Sequence, residues 1–414
     1  MNSENRSLSA ANTIPVAAII VASLGYFVDI YDLLLFSIIR VPSLKSFGLT
    51  EAQITEKGIF LLNVQMAGLM LGGICWGILG DKKGRLQVLF GSILIYSIAN
   101  LANGFAGSIN TYAICRFVAG FGLAGELGAG ITLVAEMTPL AKRGYATSIV
   151  ASIGISGAVA AYFTANIFDW RVAFFVGGGL GVLLLLLRVS INESPLFRSA
   201  REAKQPDQGN FLFLFADKKR LMKYLRCIAL GVPFWFAAGI LISFSPEIAK
   251  SLHVDGLVSA GAAVAFFYGG SVISDFLAGL LSQYLGSRKK VVCFFMFLSL
   301  LATLILLGAP NIRLTTFYME CVFLGFASGY WALFVTIATE QFGTNIRATV
   351  TTTVPNFVRG AVLPLSFLFK CISGWTGSLI IAGCAVSMFC LLLAVWSLSK
   401  LKETFSTDLD FYEK

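Results

Sequence analysis

Six ionisable side chains lie where an apolar sequence offers them no water. Asp29 and Asp32 fall in GYFVDIYDLLLF (25–36), Arg116 and Glu126 in RFVAGFGLAGELGAG (116–130), Asp275 in SVISDFLAG (271–279), and Arg359 in TVPNFVRGAVLPL (353–365). A charge near a bilayer centre costs roughly 2.5 to 3.5 kcal/mol on insertion scales, so such residues are functional by default. Asp29 and Asp32 are three apart, hence on one helix face, and two carboxylates so close resist joint ionisation, so they can share a proton. Arg359 carries a planar fork suited to a carboxylate, and Pro355 and Gly360 beside it indicate a bent helix lining a cavity. Tyr330, Trp331 and Trp235 could wall that cavity, although aromatic residues are common in any apolar helix. Glu126 stays open between substrate contact and helix packing. Whether Asp29, Asp32 or Asp275 carries the proton also stays open.

Catalytic chemistry lacks its usual parts. His253 is the one histidine, and the eight cysteines are scattered without paired spacing, reading as small apolar residues. No nucleophile–base set or metal-ligand cluster is legible, so neither an enzyme nor a metal or cofactor is expected.

The elements that must position these residues follow from composition. Hydrophobic residues make up 57% of 414 and charged residues 13%, with a mean hydropathy of +0.80, whereas a soluble domain carries about a quarter charged residues. At about 20 apolar residues per crossing, the predicted spans are 14–39, 58–79, 86–106, 110–135, 146–168, 171–190, 224–249, 257–284, 290–309, 314–340, 348–371 and 377–399. The polar start MNSENRSLSAANT leads into the first span without an A-x-A site, so that span is expected to be retained. This division gives a six-helix unit over 1–190, a linker over 191–223 with a surface helix at 211–224, a second unit over 224–400, and a tail over 401–414. With both termini cytoplasmic, twenty-two basic residues fall inside and seven outside, the positive-inside pattern. The net charge of +9 is thereby topological, and a lipid bilayer rather than nucleic acid is the expected surroundings.

The chain repeats itself. GILGDKKGR (77–85) after the second span matches GLLSQYLGSRKK (279–290) after the eighth, and AEMTPLAKRG (135–144) matches TEQFGTNIRA (339–348), pairing Glu136 with Glu340 and Arg143 with Arg347. Two matches at nearly one offset mark a six-helix unit written twice, and an even count gives both copies one orientation. Gln283 stands where the first copy has Asp81, so any charge lock is expected on one side only.

GILGDKKGR resembles the loop signature of the major facilitator superfamily, and RFVAGFG (116–122) resembles its fourth-helix signature. Within it, GYFVDIYDLLLF, RFVAGFGLAGELGAGITLVAEMTPLAKRG (116–144) and DWRVAFFVGG…INESPLF (169–197) resemble the metabolite:proton symporters. The second half matches mainly through FGTNIRAT (342–349), and NESPLF also resembles the sugar porters. The resemblance implies an all-α membrane protein, twelve helices in two pseudo-symmetric bundles, working by alternating access. It implies a carboxylate–arginine pair between Asp32 and Arg116 that couples a proton to transport. It also implies a cytoplasmic gate of Gly80, Asp81, Gly84, Arg85, Glu136, Arg143, Glu193, Glu340 and Arg347, with Asp81 reaching a helix N-terminus or a basic side chain nearby. The expectation is a monomer in the inner membrane carrying a small organic anion or zwitterion with protons. Sugar or polyol uptake remains open, because Asn63, Gln65, Asn100 and Asn103 could contact neutral substrates or bind helices together. A sensor that moves nothing is the remaining alternative, with no soluble domain legible to receive a signal. Drug antiport is disfavoured, since the fifth span reads SIVASIGISGAVAAYF without a proline.

Overall fold

A run of about twenty apolar residues can satisfy its backbone in lipid only as a helix, and each predicted span is one. The structure, a computed structural model, describes residues 16–139, 142–187 and 209–413; Glu193 lies outside them. Among the described residues, twelve helices are long and apolar enough to cross a membrane. They are α1 (Val16–Lys45), α2 (Glu56–Lys83), α3 (Arg85–Gly104), α4 (Ile109–Met137), α5 (Arg143–Ile167), α6 (Trp170–Leu187), α7 (Lys218–Ile242), α8 (Ala260–Tyr284), α9 (Arg288–Gly308), α10 (Leu314–Gln341), α11 (Arg347–Thr376) and α12 (Leu379–Lys400). The chain is a multi-pass membrane protein of two six-helix halves.

Both boundaries of α7 differ from expectation. α7 begins at Lys218, because Asp217 caps it, accepting the N–H groups of Lys219 and Arg220 at 3.2 Å each. Only Phe213–Ala216 of the expected surface helix forms a separate turn. α7 also ends early: it widens into a π turn over Ala237–Ile242 and gives way to a short helix, Ser245–Ser251. Pro246 sits in the first turn of that short helix, where a missing N–H costs nothing, and bars the longer helix from running through.

Burial sorts the helices by role. In α1, α4, α7 and α10, 83% of the apolar window is buried; in α3, α6, α9 and α12 it is 39–50%. The first four therefore line the centre and the last four face lipid, with Leu94, Leu183, Phe297 and Leu392 outward. Close packing of α2 on α4 rests on missing side chains: a Cβ at Gly68, Gly72 or Gly120 would stand 2.3 Å from the carbonyl oxygen of Phe117, Phe121 or Gln65.

The central helices are broken. α4 is interrupted at Ala124–Gly125 and α10 between Ala327 and Trp331; α5 bends at Ser156 and α11 at Ala361. These breaks fall at equivalent places in the two halves, so the repeat seen in the loops extends into the helices. Broken helices free backbone groups at mid-depth, where only polar side chains can satisfy them.

Candidate functional site

Those freed groups gather the intramembrane charges. At the α4 break the carbonyl of Ala124 accepts from Asn356 Nδ2 of α11 at 2.8 Å, a bond between the two halves. At the α10 break Asp275 Oδ1 accepts the N–H of Ala332 at 3.1 Å, so Asp275 caps the inner segment of α10. Arg359, three residues beyond Asn356, donates to Asn356 Oδ1 at 3.3 Å and reaches Asp29 Oδ2 of α1 at 3.4 Å. The Arg359–Asp29 pair joins the halves through side chains at most 1% exposed. Trp235 lies under the guanidinium, 5.6 Å from its carbon, and Trp331 packs on Trp235 and Phe234 while donating to the Tyr26 hydroxyl at 2.9 Å. Tyr330 is buried at the start of the inner α10 segment. Glu126 begins the inner α4 segment, fully buried, and accepts from Ser92 at 3.4 Å.

Asp32 and Arg116 are both wholly buried, but no ion pair joins them. Arg116 instead donates to Asn100 Oδ1 at 2.6 Å and stacks over Phe174 at 4.6 Å. Both Asp32 oxygens lack a hydrogen-bond partner, and Asp32 lies against α6, where a Cβ on Gly177 would meet Oδ1 at 2.1 Å. The cause is local. Asn100 on α3 supplies the acceptor that the sequence reading had assigned to Asp32, and Asp29 supplies the one carboxylate that faces Arg359.

Access to this centre comes from one end. A cavity of about 400 Å³ opens between α2, the end of α7 and the outer half of α11, with Asn63, Glu247, Ser366 and Lys370 on apolar walls. Leu62 and Val362 narrow its floor and also line a smaller pocket beneath, bounded by Leu34, Met66 and Trp235. Trp235 lies between that pocket and Arg359.

The other end, here the basic face, is sealed by ion pairs in a two-fold pattern. Glu136 of α4 accepts from Arg85 of its own half at 2.9 Å and from Arg347 of the other half at 3.1 Å. Glu340 of α10 accepts from Arg288 of its own half at 2.7 Å and pairs with Arg143 of the other half at 3.6 Å. Asp81 adds a helix cap, Oδ1 and Oδ2 accepting the N–H groups of Ala348 and Thr349 at 2.9 and 2.8 Å at the start of α11. Gly80 lies against Ala348, and Gly84, at φ 109°, makes the turn from α2 to α3 that lets Arg85 reach back to the Gly80 carbonyl.

The expected one-sidedness is therefore corrected. The helix cap is one-sided, since Gln283 packs its amide against Gly144, but the ion pairs are not. Arg288 completes the second copy. Its offset from Arg85 is close to that of the other repeated pairs. Below the ion pairs, small residues close the seam. Thr349 and Thr352 fill the space that side chains at Gly77 and Gly128 would need, and the Thr336 and Thr147 hydroxyls meet at 3.1 Å.

The C-terminal segment, expected only as a tail, is part of this seal. The carbonyl of Thr407 accepts from Arg143 at 3.1 Å, and that of Leu409 from Arg347 at 2.5 Å, so the segment caps the cross-half arginine of each copy. It is held by Thr344 N–H on the Phe411 carbonyl at 2.8 Å, by reciprocal bonds between Asn345 and Glu413, and by Lys223 on Glu413 at 2.6 Å. Hydrogen bonds to charged groups are worth about 1.5–3 kcal/mol each. Deleting residues 406–414 should lower the thermal midpoint by a few degrees and speed alkylation of a cysteine placed at Thr344, now 2% exposed. An unchanged midpoint and alkylation rate would show that the segment holds nothing.

Two related six-helix halves, a charge-lined centre reached from one end and a seal of ion pairs at the other define a membrane transporter rather than an enzyme. Residues 18–363 match the sequence profile of the Major Facilitator Superfamily, and the chain belongs to that family. Similar proteins include the sialic acid transporter NanX of Escherichia coli (strain K12), 27% identical over 286 residues, with 65% of this chain and 69% of that protein covered. The niacin transporter NiaP of Acinetobacter baylyi (strain ATCC 33305 / BD413 / ADP1) is 33% identical over 178 residues, covering 42% of this chain and 40% of that protein. Among solved structures, the proton:xylose symporter XylE bound to 6-bromo-6-deoxy-D-glucose superposes with a TM-score of 0.78 at 18% identity, covering 95% of this chain and 97% of that one. That likeness shows the fold.

Proposed function

We propose that the chain is a proton-coupled symporter of a small organic anion or zwitterion, oriented with its basic face and both termini in the cytoplasm of a cell whose inner membrane it spans. One observation carries the reading: the buried Arg359–Asp29 pair links the two halves beneath the cavity that opens at the opposite face. A substrate carboxylate arriving from that cavity can take the guanidinium fork in place of Asp29, with Trp235 and Trp331 as its apolar wall. Asp32 carries the proton. A buried carboxyl with no cation in contact and no donor on either oxygen is best accommodated neutral, while Arg116 waits on Asn100. When the seal at the basic face opens, Arg116 turns to Asp32 and the proton leaves to the cytoplasm. The relatives named for sialic acid and for niacin, both carboxylic acids, agree with an anion site.

The test is a thermal-shift screen of purified protein against carboxylates, betaines, amino acids and sugars, since a ligand of the native state raises apparent stability. Carboxylates or betaines should shift the midpoint and sugars should not. Arg359→Ala should weaken binding of the best hit roughly tenfold to a hundredfold, the worth of a charge-assisted contact. Stabilisation by sugars alone, or an Arg359→Ala protein that binds a carboxylate normally, would refute the anion site.

A further inference from the structure

A second polar cavity, of about 390 Å³, lies at the basic face between α7, α10, α12 and the C-terminal segment, away from the central site. Its walls carry Lys219, Lys223 and Arg226 on one face of α7, opposite Lys400 and Lys402. Five cations in one cavity repel one another unless something offsets them, and the two acids that also line it, Glu340 and Glu403, are held by other partners. Glu340 is held by Arg288 and Arg143. Glu403 turns away to the start of α9, accepting from Ser287 Oγ and from the N–H groups of Arg288 and Lys289. Burial pushes the Glu403 carboxyl up, but the bonds from Ser287 and the backbone outweigh it and hold it below the usual carboxylate range. Glu413 neutralises Lys223. Among the described residues, none places a carboxylate within ion-pair distance of Lys219, Arg226, Lys400 or Lys402. Two further donors are idle: the Thr404 hydroxyl, on a residue 3% exposed, and Arg226 Nε are both buried without a partner, and both residues line the cavity.

We propose that this cavity binds the phosphate group of an anionic phospholipid from the leaflet at the basic face. Phosphate chemistry follows from an excess of cations with a guanidinium and a hydroxyl free to donate. The lipid source follows from place. Trp396 of α12, 49% exposed, lies under Arg226 with its ring centre 5.5 Å from the guanidinium carbon, and an outward tryptophan beside basic residues marks the headgroup level. Because the C-terminal segment is one wall, a bound headgroup braces the strap over Arg143 and Arg347 and so favours the sealed basic face. This site is independent of the substrate reading above.

Delipidated full-length protein is titrated in detergent with phosphatidylglycerol, phosphatidylcholine or inorganic phosphate, binding being read by native mass spectrometry and thermal midpoint. Phosphatidylglycerol should bind and stabilise, and phosphatidylcholine should not. The double variant Arg226→Gln/Lys402→Gln should bind phosphatidylglycerol roughly twentyfold to thirtyfold more weakly, from two cations at the headgroup. Lys82→Gln/Lys83→Gln, exposed on the same face but outside the cavity, should bind as the parent does. Should the first double variant fold poorly, Lys400→Gln and Thr404→Val carry the same expectation singly, with smaller losses. Stabilisation by millimolar inorganic phosphate that the double variant loses would support the phosphate site and assign it to a soluble source. Equal phosphatidylglycerol binding in parent and cavity variants, or an equal loss in Lys82→Gln/Lys83→Gln, overturns the proposal.

Discussion

Asp32→Asn should abolish substrate accumulation against a gradient while leaving counterflow of labelled substrate intact. The amide reproduces the shape and neutrality of a protonated carboxyl, so the arrangement described here, with Arg116 on Asn100, is undisturbed. What is lost is the second state, in which the proton leaves and Arg116 gains a counterion. A proton-motive force of about 100 mV is worth about 2.3 kcal/mol per proton, a roughly fiftyfold accumulation, and the variant should fall to the level of simple equilibration. Asp29→Asn separates the two carboxylates. Its partner is Arg359, at 3.4 Å, so removing its charge frees the guanidinium for substrate. Affinity for an anionic substrate should rise, on the order of tenfold, with accumulation retained. Reconstituted vesicles with an imposed pH gradient measure both quantities. Undiminished accumulation by Asp32→Asn would end its assignment as proton carrier; lost accumulation by Asp29→Asn with tight binding would move the proton to Asp29.

That division of labour could not be read from the chain, and the reason is physical. The spans were legible because a bilayer demands a length of apolar residues that no other context requires. The repeat was legible because the same short turns recur in both halves. Which buried charge faces which is a different matter. Asp29 and Asp32 share a helix face, and a rotation of α1 by a fraction of a turn would exchange their partners. The structure breaks the tie through groups that carry no signal of their own: Asn100 takes Arg116, and Asn356 braces both Arg359 and the broken end of α4. The break at Ala124–Gly125 has no proline to announce it, whereas the bend of α11 at Ala361 lies between Pro355 and Pro364. Arg288 has a signal, its offset from Arg85, but it sits in a basic run with Lys289 and Lys290 that topology alone explains. The C-terminal segment had none, because its bonds to Arg143 and Arg347 use carbonyls, and every residue has one.

Arg347, shared between that segment and Glu136, sets the second large effect. Glu136→Gln should shift the protein strongly toward the state open at the basic face. Glu136 stands between Arg85 and Arg347, and all three side chains are 0% exposed. Neutralising the shared carboxylate leaves Arg347 with the Phe342 and Leu409 carbonyls and the Thr344 hydroxyl, and Arg85 with the Gly80 carbonyl and Asp81 at 3.6 Å, and breaking a buried pair costs about 3–5 kcal/mol. That cost falls only on the sealed state, since opening hydrates the arginines. A 3 kcal/mol bias moves the equilibrium more than a hundredfold, enough to invert a population that favours the sealed form. Glu340→Gln should do less, because the cross-half contact it loses is longer, Arg143 lying 3.6 Å from Glu340 with a side chain 7% exposed. Alkylation of a cysteine at Thr336, buried between α10 and α5 in the sealed form, reports the opening, and paired spin labels on Lys82 and Lys289 report its width. Labels that keep their separation in Glu136→Gln, with Thr336→Cys still protected, would mean that the seam of threonines and glycines, and not the ion pairs, holds this face shut.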